Sequence, residues 1–336
     1  MKFIKEVYPL IEEGNKKIVI TMHQKPDPDA MGSSLGLKLF LAGFGNEITV
    51  VSPTNWPAFI NWMPEINSVI DFEATPFPAI KAVEEADLIF CLDFNVLSRT
   101  KNLAPYIQKS SAVKVLIDHH QQPDKASFHF GISDTGKSST AEMVYDFIKQ
   151  SNHPGKLNIP MAECLYAGVM TDTGSFRFES TTASVHRMVA ELKDLGLQHH
   201  KIHEYIYDNF LENRLRFIGH VLSNRMEVYY EYNTALIAIS KKDLLRFQIK
   251  TGDTEGLVNY PLSIQGIKLA ALVIDRDEER KWSFRSKGNF NTNEFARRFF
   301  NGGGHFNASG GRSDASLEEN IEMFKKAIRE VADQLK

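Results

Sequence analysis

Four short hydrophobic runs in the first half of the chain each end in side chains suited to hard metal ions. Residues 17–22 lead into His23, Asp27 and Asp29, and residues 88–92 into Asp93. Residues 113–117 lead into Asp118, His119 and His120, and residues 166–171 into Asp172. His23, Asp27 and Asp29 come from one turn, and their spacing lets alternate carboxylates face two different ions. Asp93 would supply a bridging carboxylate, with His119 and Asp172 completing the set. Imidazole mixed with carboxylate oxygen suits Mn²⁺, with Mg²⁺, Co²⁺ or Fe²⁺ as competitors. Two such ions about 4 Å apart deprotonate a shared water and stabilise both the attacking and the leaving oxygen of an in-line displacement. Any one of these aspartates alone would read as a turn residue or a helix cap. Together, each at the end of a run, they describe a two-metal centre.

Distant segments must be brought together for this to work. Short β-branched runs separated by helical stretches read as parallel strands, residues 166–171 among them. Side chains just past the carboxyl ends of such strands collect in one crevice. The fold class expected is therefore α/β: a parallel-sheet domain over residues 1–190, a helical connector over 191–219, and a smaller α/β domain over 220–336. Within the first, residues 30–41 read as a helix that starts on small residues. Ser138 to Thr140 caps an amphipathic helix through Met143, Val144, Phe147 and Ile148. In the second, residues 226–232 and 234–239 form a hairpin around Asn233, residues 267–274 and 281–285 form another pair, and a helix over 317–334 closes the domain.

Composition narrows the function classes. A chain of 336 residues is long enough for two cores. Its formal net charge of -3 gives no global pull towards nucleic acid. The two cysteines, Cys91 and Cys164, sit in hydrophobic runs without metal-binding spacing, which argues against a thiolate zinc site. Charged residues interrupt the first 17 positions, and no apolar run elsewhere is long enough to span a bilayer. A cytoplasmic protein without a membrane partner is expected.

Two further patterns concern phosphate. Residues 131–138, GISDTGKS, match the P-loop spelling Gly-x-x-x-x-Gly-Lys-Ser/Thr. Asp134 would place a negative charge inside the cradle, and the metal set already accounts for the acidic run ends, so the match is read as chance. Gly302, Gly303 and Gly304 let backbone amides approach an anion closely, and His305 adds a donor at the same point. Arg99, just after Asp93, is the candidate for the scissile phosphate or its neighbour, and Arg285 could fork onto another.

The elements HQKPDPDA (23–30), LDFNVLSR (92–99), DHH (118–120) and TDTG (171–174), in that order, resemble the four motifs of the DHH phosphoesterase family. NGGGHFNASGG (301–311) resembles the signature of the DHH-associated domain. The resemblance covers nearly the whole chain. It implies one metal held by His23, Asp27 and Asp93 and another held by Asp29, Asp93, His119 and Asp172. It leaves His120 facing substrate as electrostatic stabiliser or proton donor, and Asp118 orienting a ligating histidine. Within the family, the compact two-domain form resembles enzymes that hydrolyse very short RNA and 3′-phosphoadenosine 5′-phosphate. Cyclic di-AMP or pApA hydrolysis is the alternative activity, and a catalytically silent nucleotide-binding protein is the alternative class. Short RNA or a small nucleotide is the expected partner, with no tracking along long nucleic acid, and a homodimer is compatible with this.

Overall fold

The computed structural model describes residues 1–250, 252–276 and 279–336, and it divides into two units, residues 1–209 and 210–336. Seven strands build the sheet of the first unit: β1 (Lys2–Phe3), β2 (Lys17–Thr21), β3 (Glu47–Ser52), β4 (Ile70–Asp71), β5 (Leu88–Leu92), β6 (Val113–Asp118) and β7 (Phe130–Ser133). Their order is β1-β7-β6-β5-β2-β3-β4, and every pairing is parallel. Helices lie on both faces, so the central strands are mainly apolar runs instead of alternating regularly with polar residues. All five residues of β5 are buried. Leu88, Phe90 and Leu92 enter one core and Ile89 and Cys91 the other, as the two-residue period of a strand requires.

The helices of this unit are α1 (Tyr8–Glu12), α2 (Pro28–Ala42), α3 (Pro76–Glu85), α4 (Ala104–Lys109), α5 (Thr140–Gln150), α6 (Ile159–Asp172), α7 (Ala183–Asp194) and α8 (His199–Tyr207). Residues 166–171, read above as a strand, are the last turns of α6. That helix is buried along nearly its whole length, so no polar stripe marks its 3.6-residue period. A short apolar run then fits strand and helix equally. Asn158 caps it, accepting from the Met161 N–H at 3.1 Å, and a proline stands in its first turn.

Helices α2 and α6 cross almost backbone to backbone. A Cβ at Gly32 would fall 2.3 Å from the Cys164 carbonyl oxygen, and one at Gly36 would fall 2.9 Å from the Leu165 side chain. Only glycine permits this approach. The consequence is positional: the start of α2 and the end of α6 meet at the carboxyl ends of the strands.

The second unit holds α9 (Glu212–Asn224), β8 (Met226–Tyr229), β9 (Thr234–Ile239), α10 (Lys241–Arg246), β10 (Leu269–Asp275), β11 (Arg280–Ser286), α11 (Thr292–Phe299), β12 (Gly303–Gly304), β13 (Ala308–Ser313) and α12 (Leu317–Glu330). Its sheet runs β12-β13-β11-β10-β9-β8, with β9 and β10 parallel and the other pairs antiparallel. Asn233 turns the β8–β9 hairpin in the left-handed conformation, φ 49°. Trp282, Phe284, Phe300 and Phe324 stack in the core, and the Trp282 indole N–H donates to Asn320 at 2.8 Å. That bond satisfies the one polar atom the ring buries. Among the described residues, no helix is long and apolar enough to cross a membrane.

Candidate active site

Strand order reverses between β2 and β5, the switch point at which open α/β sheets bind ligands. His23 follows β2 and Asp93 follows β5, so both stand at that crevice. His119 and His120 follow β6 beside them. The turn before α2 is fixed by its neighbours: the Gln24 N–H donates to the Arg99 carbonyl at 2.8 Å, and the Lys25 N–H to the Thr54 hydroxyl at 2.6 Å. Asp27 is the N-cap of α2, with Oδ1 accepting from the N–H groups of Asp29 and Ala30. Its Oδ2 lies 3.8 Å from His23 Nε2.

Asp93 is the hub. Its φ of 61° is left-handed, a conformation Asp tolerates better than most residues, and a candidate store of backbone strain at a functional site. Oδ2 lies 3.3 Å from His23 Nε2, and Oδ1 lies 3.3 Å from His119 Nε2. His119 Nε2 also lies 3.4 Å from Asp172 Oδ2 and 3.8 Å from Asp29 Oδ2. The backs of both rings face carbonyls, His23 Nδ1 at 2.8 Å from Gln24 O and His119 Nδ1 at 3.4 Å from Lys137 O. With the remaining proton on Nδ1, each Nε2 offers a lone pair to a cation once its own proton is displaced. Donor atoms of His23, Asp27 and Asp93 fall within 4.8 Å of one another, as do those of Asp29, Asp93 and His119. The two groups share Asp93, which makes them a pair of adjacent sites able to hold two ions.

The electrostatics fit a divalent cation. Burial, then repulsion from Asp93, pushes the Asp29 carboxyl up to about 8. Burial, then Asp29 and Asp27, pushes Asp172 well above the carboxylate range. Burial works against ionised Asp93 too, yet hydrogen bonds from His119 and His23 prevail and hold it well below that range. Burial opposes a charged His119, but Asp93, Asp172 and Asp29 outweigh it and raise the ring to about 10. So many carboxylates, countered by imidazole protons and by Arg99, form a pocket whose negative charge a metal ion would relieve. Both thiols are buried in the core and take no part.

His120 differs from its neighbour. Its Nδ1 donates to Asp118 Oδ1 at 2.8 Å. Asp118 therefore orients His120, where the expectation placed it behind a ligating histidine. Burial, then positive Arg99, outweighs Asp93 and keeps His120 well below the usual histidine value, hence neutral. Asp118 is itself raised to about 7 by burial and by Asp93. Arg99, half-buried in the short helix after β5, forms no ion pair among the described residues.

Sequence reasoning missed Thr140. Its hydroxyl donates to Asp93 Oδ1 at 3.0 Å, while the N–H groups of Thr140 and Ala141 donate to the two oxygens of Asp29, each at 2.8 Å. Within the P-loop spelling the Gly136 N–H donates to Asp134 at 2.9 Å and the Ser138 N–H to Glu142 at 2.9 Å, so these amides too hold the protein's own carboxylates. Lys137 pairs with Glu142 and Asp146, at 3.1 and 2.6 Å. Gly168 was missed as well: a Cβ there would fall 2.7 Å from both Asp29 Oδ1 and Ala141 Cβ.

In the second unit the triple glycine is largely committed to its own sheet. The Gly302 N–H donates to Ala296 O at 3.1 Å and the His305 N–H to Ala308 O at 2.7 Å, so these two amides are unavailable to an anion. Gly303 and Gly304 form β12. A Cβ at Gly302 would fall 1.9 Å from Gly310 O, and one at Gly304, where φ is 148°, would fall 2.6 Å from Ala308 O. Gly303 has ordinary room beside Arg297. Arg285 lies on β11, its guanidinium donating to Phe284 O at 3.0 Å.

A parallel sheet with paired His and Asp sites at its switch point, joined in one chain to a mixed sheet, defines a hydrolase of phosphate esters. The chain belongs to the DHH family: residues 17–169 match the DHH family, N-terminal domain, and residues 234–334 match the DHHA1 domain. It is 30% identical to the probable bifunctional oligoribonuclease and PAP phosphatase NrnA of Streptococcus mutans, over 92% of this chain and 93% of that one. It is also 30% identical to the bifunctional oligoribonuclease and PAP phosphatase NrnA of Bacillus subtilis, over 87% and 88%. A crystal structure of an exopolyphosphatase-related protein from Bacteroides fragilis superposes with a TM-score of 0.93 at 38% identity, covering 98% of this chain and 96% of that one.

Proposed function

We propose that the chain is a two-metal phosphoesterase that hydrolyses very short oligoribonucleotides and 3′-phosphoadenosine 5′-phosphate. The observation that carries this is Asp93, whose two oxygens face the Nε2 atoms of His23 and His119 at 3.3 Å each. His23, Asp27 and Asp93 are proposed to hold one Mn²⁺, and Asp29, Asp93, His119 and Asp172 the other, with Mg²⁺ or Co²⁺ as substitutes. When bound, the ions supply positive charge to the scissile phosphate and lower the pKa of the attacking water. His120 is proposed as the catalytic side chain. With Nδ1–H committed to Asp118, Nε2 is the atom that exchanges a proton with the reacting oxygens, and Asp118 steadies the imidazolium once formed. Arg99 is proposed to hold a phosphate beside the metal ligands. Arg285, Gly303, Gly304 and the His305 side chain are the proposed substrate contacts of the second unit, with Gly302, its amide held by Ala296, bordering them and Gly303 the glycine whose surroundings leave most space. Proteins similar over most of their length bear the name oligoribonuclease and PAP phosphatase, which supports this substrate class over long nucleic acid. A homodimer and a cytoplasmic location are compatible with the proposal.

Its test is Mn²⁺-dependent release of mononucleotides from di- to tetranucleotides and of phosphate from 3′-phosphoadenosine 5′-phosphate. Both are expected to vanish in Asp93→Ala and in a double change of His119 and His120. Absence of turnover on every short substrate with Mn²⁺ present refutes the proposal. Faster turnover of pApA or cyclic di-AMP in the same assay would move the substrate assignment there.

A further inference from the structure

One short turn touches three of the six candidate metal ligands. The Lys137 carbonyl faces His119 Nδ1 at 3.4 Å, the Thr140 hydroxyl reaches Asp93, and the first amides of α5 hold both oxygens of Asp29. These bonds join segments more than 100 residues apart in sequence at Asp29 and 47 apart at Asp93. Glu142 anchors the turn from inside. It is buried, and Oε2 accepts from the Ser138 N–H at 2.9 Å and the Ser138 hydroxyl at 2.8 Å. Oε1 accepts from the Ser184 hydroxyl on α7 at 2.7 Å and from Lys137 Nζ at 3.1 Å.

We infer that Thr140 is a positioning residue of the metal centre, and that Glu142 locks the turn which carries it. The inference rests on the reading of Asp29, Asp93 and His119 as metal ligands. A carboxylate shared between two sites must keep one oxygen on each, so its plane has to be held against rotation about the Cβ–Cγ bond. The Thr140 hydroxyl marks Oδ1 by donating to it, which leaves Oδ2 towards His23. The amides of Thr140 and Ala141 act likewise on Asp29: each donates to a different oxygen and fixes the plane of the carboxylate. This resembles a helix N-terminus cradling phosphate, with the enzyme's own ligand as the anion. Partners of this kind behind a ligand tune affinity and orientation without touching substrate.

The experiment compares wild type with Thr140→Val, Thr140→Ser and Glu142→Gln. Mn²⁺ binding to the metal-free chain is measured by titration calorimetry, and phosphate release from 3′-phosphoadenosine 5′-phosphate at saturating Mn²⁺ gives kcat and KM. Thr140→Val keeps the volume and the amide but removes the hydroxyl. It is expected to weaken Mn²⁺ binding about tenfold to a hundredfold, and to lower kcat while KM stays within about twofold, as for a group acting only on the reacting centre. Thr140→Ser should restore both, because the hydroxyl returns. Glu142→Gln should weaken Mn²⁺ binding in the same direction, and it decides the matter with Thr140→Ser if the valine variant does not fold. Wild-type protein that binds no Mn²⁺ overturns the underlying metal reading. Wild-type protein that binds Mn²⁺ beside a folded Thr140→Val that binds it equally well overturns this inference alone. Equal impairment of Thr140→Val and Thr140→Ser, the second of which keeps the hydroxyl, shows that the hydroxyl is not what sets metal binding and overturns it too.

Discussion

Gly168→Ala tests whether the crossing of α2 and α6 sets the geometry of the site. The new Cβ would stand 2.7 Å from Asp29 Oδ1, 2.7 Å from Ala141 Cβ and 3.1 Å from Asp29 Cα. The first of these is about 0.7 Å short of the 3.4 Å at which ordinary contact begins. Asp29 has no easy retreat, since both its oxygens are held by backbone amides. Overpacking of this kind costs about 1–3 kcal/mol, and the better helix propensity of Ala returns at most about 1 kcal/mol. A net loss of up to about 2 kcal/mol corresponds to a fall in Tm of up to about 8 °C for a unit of this size. A catalytic effect should accompany it. A misplacement near 1 Å costs on the order of a hundredfold, so a shift of about 0.7 Å at Asp29 predicts at least a tenfold loss of kcat/KM, or about 1.4 kcal/mol of transition-state binding. Scanning calorimetry of the metal-free protein and steady-state phosphate release measure the two effects. Gly219→Ala on α9 is the control, because nothing lies within 4 Å of its Cβ, and it should leave activity unchanged. If Gly168→Ala lowers Tm while kcat/KM stays at the wild-type value, the argument that this crossing places Asp29 is refuted.

Three other outcomes are expected. The fold holds protons that the unfolded chain releases above its ordinary carboxylate value of 3.8, since Asp29 sits at about 8 and Asp118 at about 7. The His119 contribution is full below 6.5 and fades towards 10. Metal-free stability should therefore fall from pH 5 to 8, by about 1.4 kcal/mol per pH unit for each retained proton. The rise in Tm on adding Mn²⁺ should grow over the same range, because binding displaces those protons; a metal-free Tm that climbs with pH contradicts this. Arg99→Lys keeps the charge but loses the two-pronged fork, and at least a tenfold loss in kcat/KM is expected, with near-wild-type kinetics as the adverse result. In the second unit Gly304→Ala should lower Tm far more than Gly303→Ala, because only at Gly304 does a Cβ meet backbone at 2.6 Å under a left-handed φ. Equal melting temperatures would show that the β12–β13 contact carries no constraint.

Much of the candidate site was legible because metal-ligand chemistry restricts residue type and the strand ends are marked by apolar runs. His23, Asp93 and His119 stand where that logic puts them. Asp172 reached the same place by another element, a buried helix whose apolar residues face protein on every side and so lose their periodicity. Thr140 escaped because a hydroxyl at a helix start has an adequate local explanation as a cap, and its bond to Asp93 spans 47 residues. Gly32 and Gly168 escaped for a similar reason. A glycine within a helix signals close approach without naming what approaches. The triple glycine was read as an open anion cradle, whereas Gly302 and Gly304 serve chiefly to let β12 lie against β13. The left-handed turn at Asp93 leaves no mark in composition at all.

The seven-stranded sheet ends on both sides in a strand of only two residues, β1 at one margin and β4 at the other. An exposed sheet margin is a template on which another chain can add a strand, and very short edge strands are one way that natural proteins blunt it. β1 covers Phe130 and Gly131 of β7, and β4 covers Val51 and Ser52 of β3, so the outer margin is made partly of these two-residue strands and partly of the uncovered ends of β7 and β3. The apolar strands that make a parallel sheet prone to association, β5 and β6 above all, lie well inside these margins. The same brevity that makes β1 and β4 nearly invisible in the sequence thus leaves a ladder of two residues at each margin, and loss of either short strand would lengthen the open edge of β7 or β3.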